Sequence, residues 1–346
     1  MEITTVIGCK VQCTFCPQTL LMERYEQKND IEEITWGKPT MMTFNDFKNC
    51  IDKIPIHVDI LFSGYAEPWL NPECTKMLLY AHKKEHSISA YSTLVGMHVK
   101  DVEQFKHVPF KKFEIHLPDV EKYAKIALNQ NFFDVLTCIL SSDISNLTSM
   151  TMGGLPEKIQ KIIHKNFPAN KMIDRAGNNE SGIKTPMKFG PIYCKKAHVN
   201  GINTINSNTL LPNGDVTLCC MDYGMDNILG NLIESNYESL FKSKTAQNIL
   251  SKMNSDHDEI MCRKCSESVS TNLNAKLIGE KHSTESKQQF MEIKSGLNNL
   301  YVELLRRNVD EEGLNYFIPL LINQKISLDD VRQSIINSSE YKQILN

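Results

Sequence analysis

The sequence predicts an α/β protein with a parallel sheet, followed by a cysteine-bearing region and a helical C-terminal unit. Three observations carry that expectation. Apolar runs of strand length alternate with helix-period segments from the N-terminus to about residue 174, the pattern of successive β/α units. Three cysteines, Cys9, Cys13 and Cys16, directly follow the first apolar run. Further clustered cysteines, at 194, 219/220 and 262/265, come only after the alternation has ended.

Residues 2–7 are β-rich and lead straight into the cysteine loop. The stretch 41–54 has helical character and is entered through Thr43, a good N-cap. Strand 58–63, helix 71–85, strand 86–92, a helix near 100–106 and strand 112–117 follow. Helices at 119–129 and 132–141, strand 147–153, a helix at 156–165 and strand 170–174 complete the series. About six units are present, fewer than the eight of a closed barrel. Sites in such folds gather at the C-terminal ends of strands, where the loop at Cys9 sits. The stretch 176–192 is polar and rich in Gly, Asn and Pro, and reads as a linker. Pro212-Asn213-Gly214-Asp215, between two apolar runs, predicts a hairpin turn. Residues 234–253 have helical character. The expected domains are 1–180, 190–268 and 288–346, with a linker of Ser, Thr, Lys and Glu over 269–287.

The chain has 346 residues, 41% hydrophobic and 23% charged, ordinary globular usage with length for a sizeable core. Lys and Arg number 38 against 41 Asp and Glu, and there is no long basic run. Nucleic acid is therefore not an expected partner. No apolar run reaches the roughly 18 residues of a membrane span, and the segment before Cys9 is too short for a signal peptide. The expected location is cytoplasmic, with no membrane partner. Eleven cysteines in a chain of this size and kind read as metal ligands rather than a disulfide framework. Cys50, Cys74 and Cys138 lie apart in helical segments and read as core thiols.

Three thiolates spaced C-x3-C-x2-C on one short loop can ligate three irons of a cubane cluster, leaving the fourth iron open to a small molecule. Structural zinc, the alternative, needs four ligands. The motif, with aromatic Phe15 before the last cysteine, resembles the signature of the radical S-adenosylmethionine (SAM) enzymes. The resemblance implies a partial (β/α)6 barrel, a SAM-binding [4Fe–4S] cluster on Cys9, Cys13 and Cys16, and bound SAM. Ser63-Gly64-Tyr65-Ala66-Glu67-Pro68 resembles the family's G-G-E-P segment, so Gly64, Glu67 and Pro68 are expected to hold the SAM amino group. Tyr91-Ser92-Thr93 resembles a further SAM-binding stretch, with Ser92 and Thr93 expected on the ribose or methionine. Asp174-Arg175-Ala176-Gly177-Asn178 resembles a segment in which Arg175 would pair with the SAM carboxylate. His116 and Asp119, at the end of the fourth strand, are the candidate catalytic residues, for substrate contact or proton transfer.

Cys194, the Gly214-x4-Cys219 segment and Cys262-x2-Cys265 resemble SPASM or twitch auxiliary-cluster extensions, as do Asp222 and the Ile-Leu-Gly-Asn-Leu stretch at 228–232. Four thiolates imply one second [4Fe–4S] cluster without an open iron. Four-cysteine zinc remains the rival. Cys219 and Cys220 compete for one position, because neighbouring strand side chains point to opposite faces, and the spacing favours Cys219. The C-terminal unit resembles a small helical domain of unknown function often attached to carbohydrate-active enzymes.

The family's chemistry is reductive cleavage of SAM to methionine and a 5′-deoxyadenosyl radical, which takes hydrogen from a substrate C–H bond. The expected partners are a small-molecule substrate, with carbohydrate the first choice, and an electron donor such as flavodoxin or ferredoxin. Sugar dehydrogenation or epimerisation is the leading reaction. Only eight residues precede Cys9, which disfavours the alternative of a peptide- or protein-modifying maturase with a leader-binding domain in front. A non-catalytic iron–sulfur protein for electron transfer or assembly is the alternative of another class.

Overall fold

A computed structural model describes residues 1–31, 33–163, 169–199, 202–255, 259–270, 284–310, 313–314, 317, 321 and 326–345. The chain divides into two compact units, residues 1–185 with 196–250, and residues 186–195 with 251–346.

The first unit is built on an eight-stranded sheet. Its strands are β1 (Glu2–Ile3), β4 (Ile60–Phe62), β5 (Ile88–Ser92), β6 (Lys112–His116), β7 (Leu147–Met150), β11 (Thr209–Leu210), β12 (Asp215–Thr217) and β13 (Ile228–Asn231). Their order is β13-β12-β11-β1-β4-β5-β6-β7. From β11 to β7 every neighbouring pair is parallel. Helices α2 (Phe44–Ile51), α3 (Cys74–Lys83), α4 (Val99–Phe105), α5 (Gln130–Leu140) and α6 (Glu157–Ile163) alternate with these strands. Their buried faces, with Phe47, Met77, Leu78, Val102 and Leu136, make the core with Phe62, Phe105 and Phe113. Thr43 caps α2 as expected, accepting from the Asp46 amide.

Several elements depart from expectation. The 2–7 run splits: β1 joins the main sheet, while β2 (Val6–Ile7) pairs antiparallel with β3 (Thr40–Met41). Residues 18–29, not anticipated as helix, form α1 (Gln18–Asn29). Residues 119–129 are not helical. Residues 170–174 form no ladder; Thr151↔Ala169 and Ile173↔Ile183 are single parallel bridges. The sixth parallel strand is instead β11, from the second cysteine region: Glu2 and Ile3 sit opposite Thr209 and Leu210 on one side and Leu61 and Phe62 on the other. The Pro212–Asp215 turn joins β11 to β12 as the sequence predicts, with Thr209 opposite Thr217. Asn231 locks it, donating to Asn213 O (3.0 Å) and Asp215 Oδ1 (2.9 Å). Helix 234–253 is two helices, α7 (Tyr237–Lys242) and α8 (Lys244–Met253). A small hairpin pairs β9 (His198–Val199) with β10 (Ile202–Asn203).

In the second unit, β8 (Ile192–Cys194) pairs antiparallel with β14 (Ser268–Ser270), setting Cys194 opposite Ser268. Helices Thr284–Leu305, Leu328–Asn337 and Ser339–Leu345 follow. Leu297, Leu300, Leu304, Val331 and Ile335 form their shared core, and Arg307 grips Glu340 at 2.5 and 2.9 Å. Most of the expected 269–287 linker, and residues 164–165 of the expected 156–165 helix, lie outside the described residues. Among the described residues no helix is long and apolar enough to cross a membrane.

Candidate active site

The loop carrying Cys9, Cys13 and Cys16 leaves β2 and ends at α1. None of the eleven cysteines is in a disulfide; Cys50 and Cys74 are fully buried, whereas Cys138 is half-buried beside Glu103. A loop of this length must satisfy its backbone locally. Here the segment after Asp119 does it: Thr14 N donates to Tyr123 O (2.8 Å) and Lys125 N to Val11 O (3.2 Å). Asp119 in turn accepts from the Tyr123 (2.8 Å) and Ala124 (3.2 Å) amides. A helix over 119–129 would spend these backbone groups on itself, which is why the expected one does not form.

The sulfurs receive donors. Glu67 N points at Cys9 Sγ (3.5 Å) and Gln18 Nε2 at Cys16 Sγ (3.4 Å), while the Tyr223 hydroxyl lies 3.2 Å from Cys16 Sγ. Burial pushes the Cys9 thiol up to about 12 and the Cys13 thiol up as well. Thiols so buried ionise when a metal replaces the proton. Among the described residues no three His, Cys, Asp or Glu side chains converge closely enough to hold a single ion.

Glu67 follows β4 and is buried. Its Oε1 accepts from Ser92 Oγ (2.8 Å) and Trp69 N (3.2 Å), and its Oε2 from Thr93 N (2.5 Å) and Thr93 Oγ1 (2.7 Å). Desolvation raises its pKa against the pull of these donors. Four donors fill the two oxygens. Ser92 and Thr93, expected on SAM, thus spend their hydroxyl hydrogens on Glu67, and Glu67, expected on an ammonium, is already saturated. The trio braces the loop, and the Gly64–Glu67 turn and its backbone are what it positions. Gly64 has φ +72°, and a Cβ there would run into Thr4 Oγ1, which already accepts from Tyr65 N at 3.1 Å. Pro68 opens the short helical turn Pro68–Leu70.

These groups open onto a cavity of about 310 Å³, lined by Cys9, Cys13, Phe15, Cys16, residues 63–67, Ser92, Thr93, His116, Arg175 and Tyr223 among others. Asp119 is not among the lining residues. His116 packs its ring 5.6 Å from that of Phe15, and its Nε2 is buried without a hydrogen-bond partner among the described residues. Burial lowers its pKa to about 4. Arg175 also faces the cavity with its Nε buried and unpartnered. Burial opposes its charge, yet Tyr223 and Cys16 beside it hold its pKa above the ordinary value. Arg175, Ala176 and Gly177 have φ of +50°, +57° and +92°. Two non-glycine residues in the left-handed region store strain, a mark of functional sites. Asn178 fixes the turn, donating to Arg175 O (3.0 Å) and Met221 O (2.9 Å).

The second cysteine set divides between the two units. Cys194, Cys262 and Cys265 belong to the second unit, and Cys219 and Cys220 to the first. In the second unit Ser268 Oγ donates to Cys262 O and, at 3.0 Å, to Cys265 O. The main support was not evident in sequence. Arg263, fully buried, donates to Lys188 O (3.2 Å), Gly190 O (2.7 Å), Lys252 O (3.0 Å) and Ser255 O (2.6 Å). An arginine between two candidate ligands reads as surface charge, and only the tertiary fold brings these carbonyls together.

Residues 203–266 match the SPASM family, an iron–sulfur cluster-binding domain. The structure of BtrN in complex with AdoMet and 2-DOIA superposes with a TM-score of 0.50 at 13% identity, covering 78% of this chain and 92% of that one. The chain shares the fold of that AdoMet-bound structure and carries a stretch that matches the SPASM domain. The AdoMet-bound native anSMEcpe (TM-score 0.40, 12% identity, 84% and 95% coverage) is also similar, as is Streptococcus suis SuiB bound to precursor peptide SuiA (0.42, 10%, 82% and 73%). No curated protein matches the chain by sequence. The SPASM match spans Cys219, Cys220, Cys262 and Cys265. Within it the structure gives two of the flagged features a mechanical part. Asn231 of the 228–232 stretch locks the hairpin, and Asp222 accepts from the Asp226 (3.1 Å) and Asn227 (2.9 Å) amides just beyond Cys219. Burial lifts Asp222 to about 6.

Proposed function

We propose that this protein is a radical SAM enzyme that abstracts hydrogen from a small-molecule substrate. One observation carries the reading. The three thiols, Glu67, Tyr223 and Arg175, whose Nε has no partner among the described residues, all line one cavity at the C-terminal end of a parallel sheet. Cys9, Cys13 and Cys16 would hold the [4Fe–4S] cluster and leave one iron for SAM. A cluster held there would supply the electron for reductive cleavage of SAM, and so a radical able to take hydrogen from a substrate C–H bond. Arg175 would offer its Nε–H and the neighbouring Nη–H, one edge of the guanidinium, to the SAM carboxylate, a pairing its planar fork favours. The 63–66 turn, stiffened by Glu67, offers backbone carbonyls to the SAM ammonium, and Glu67 supplies the negative charge behind them. Phe15 and the surrounding apolar walls exclude water.

The favoured reaction is dehydrogenation or epimerisation of a sugar-like substrate. The neighbour solved with AdoMet and 2-DOIA and the C-terminal helical unit both support it. Dehydrogenation of an alcohol also needs a proton acceptor. His116, neutral and unpartnered against the cavity, fits that part. A second [4Fe–4S] cluster on the SPASM cysteines would accept the second electron, with flavodoxin or ferredoxin supplying the first. Anaerobic reconstitution with iron, sulfide, dithionite and SAM should yield 5′-deoxyadenosine by mass spectrometry. Its absence from a chain loaded with iron overturns the enzyme reading and leaves an electron-transfer protein. With substrate in hand, solvent deuterium in the product marks epimerisation, and its absence marks dehydrogenation.

A further inference from the structure

We propose that Tyr223 is a positioning residue for the first cysteine loop: its hydroxyl donates to Cys16 Sγ and sets the potential at which the cluster held there is reduced. The inference rests on Cys9, Cys13 and Cys16 being cluster ligands, and deepens that reading. Tyr223 lies 207 residues along the chain from Cys16, yet its hydroxyl sits 3.2 Å from the sulfur. While Cys16 is a thiol, either atom can donate. A ligating thiolate can only accept, so the proton must come from Tyr223.

The surroundings of the tyrosine hold it in that place. It is buried, in one apolar cluster with Ile7, Leu21, Tyr25 and Tyr65. Its ring stands edge-on to that of Tyr65, with centroids 4.8 Å apart. Tyr65 is itself pinned: its hydroxyl meets Thr217 Oγ1 at 2.9 Å, Cys219 O at 2.7 Å and Asp222 O at 3.1 Å. The loop that carries Cys219 therefore fixes Tyr65, Tyr65 fixes the Tyr223 ring, and Tyr223 meets Cys16. Gln18 Nε2 adds a second donor to the same sulfur at 3.4 Å. Donors to cluster sulfurs stabilise the reduced, more negative form, and their partners outside the ligand set tune such sites.

The test uses the full chain, reconstituted anaerobically, with a redox titration of the SAM-binding cluster followed by EPR. Tyr223→Phe removes the donor and keeps the ring, so the midpoint should move to more negative potential with iron content unchanged. Tyr223→3-fluorotyrosine keeps ring and hydroxyl but makes a stronger donor, so the midpoint should move the other way. If Tyr223→Phe loses the cluster, the fluorinated chain decides alone. A fluorinated chain that titrates with the wild type overturns the inference, as does a fully loaded Tyr223→Phe chain that does so. A wild-type chain that takes up no cluster on the first loop sinks the enzyme reading and this inference with it, whereas a loaded chain that forms no 5′-deoxyadenosine sinks the enzyme reading alone. Wild-type turnover without a shift in the variants sinks only the inference.

Discussion

Glu67 holds four donors on two oxygens in a buried pocket, so its removal should be felt twice. In Glu67→Gln the amide nitrogen must face hydroxyls and amides that donate to the carboxylate. Each orphaned donor costs about 1–3 kcal/mol. We expect a loss of at least about 2 kcal/mol in urea unfolding, and SAM affinity falling on the order of 10–100-fold by calorimetry, equivalent to about 1.4–2.8 kcal/mol. Unchanged stability would show that Glu67 braces nothing. His116 makes a pH prediction. Its folded pKa of about 4 lies below the ordinary 6.5, so the unfolded chain binds that proton more readily. The stability it contributes is complete above about pH 6.5 and drains away as pH falls toward 4, to at most about 3 kcal/mol. The imidazole NMR signal of His116 should stay at its neutral position down to about pH 5. A transition near 6.5 would count against a buried, neutral acceptor. That Cys9, Cys13, Cys16 and Arg175 would face one place was legible, from the cysteine spacing and from the resemblance of residues 174–178, and all four line one cavity. The partners of Ser92, Thr93 and Glu67 were not legible, since saturation of the carboxylate depends on two segments meeting, the turn after β4 and the end of β5.

Arg263 makes the case at the scale of elements. It joins the chain before β8, the end of α8 and the turn that carries Cys262 and Cys265. Arg263→Met strips the donors from four carbonyls, and we expect a loss of about 3 kcal/mol or more. The reconstituted variant should lose the iron of the SPASM cysteines and keep that of the first loop, read by iron analysis and EPR. Loss of neither would reduce Arg263 to an incidental contact. Elements whose ends are fixed by local chemistry were legible: Thr43 before α2, and Asn213-Gly214 between β11 and β12. The 119–129 segment misleads because its composition favours a helix while its backbone is committed to the cysteine loop through Tyr123 and Lys125. Local propensity is the weaker influence when a tertiary partner claims the same amides. α1 went unread because its polar, weakly amphipathic sequence gives little period to see.

For the molecule as a whole, the reading of two clusters predicts about eight irons per chain after reconstitution, and about four plus one zinc if the second set binds zinc instead. Metal analysis of anaerobically purified protein separates these outcomes. The alternation of strands and helices made the parallel sheet legible, but not which strand closes it, because sequence neighbours are only the default for sheet neighbours. β11 arrives from about 200 residues away to lie beside β1. That pairing imposes an order on synthesis. Until Thr209 and Leu210 have left the ribosome, β1 is an edge, open to pairing with other chains. The first cysteine loop is then mounted on a strand with one side bare, and Tyr223 has not been made. A nascent or truncated chain ending short of residue 209 thus has all three thiols of the first loop but not the frame that holds them. Sealing of the first cluster must wait for the segment that carries the second cysteine region.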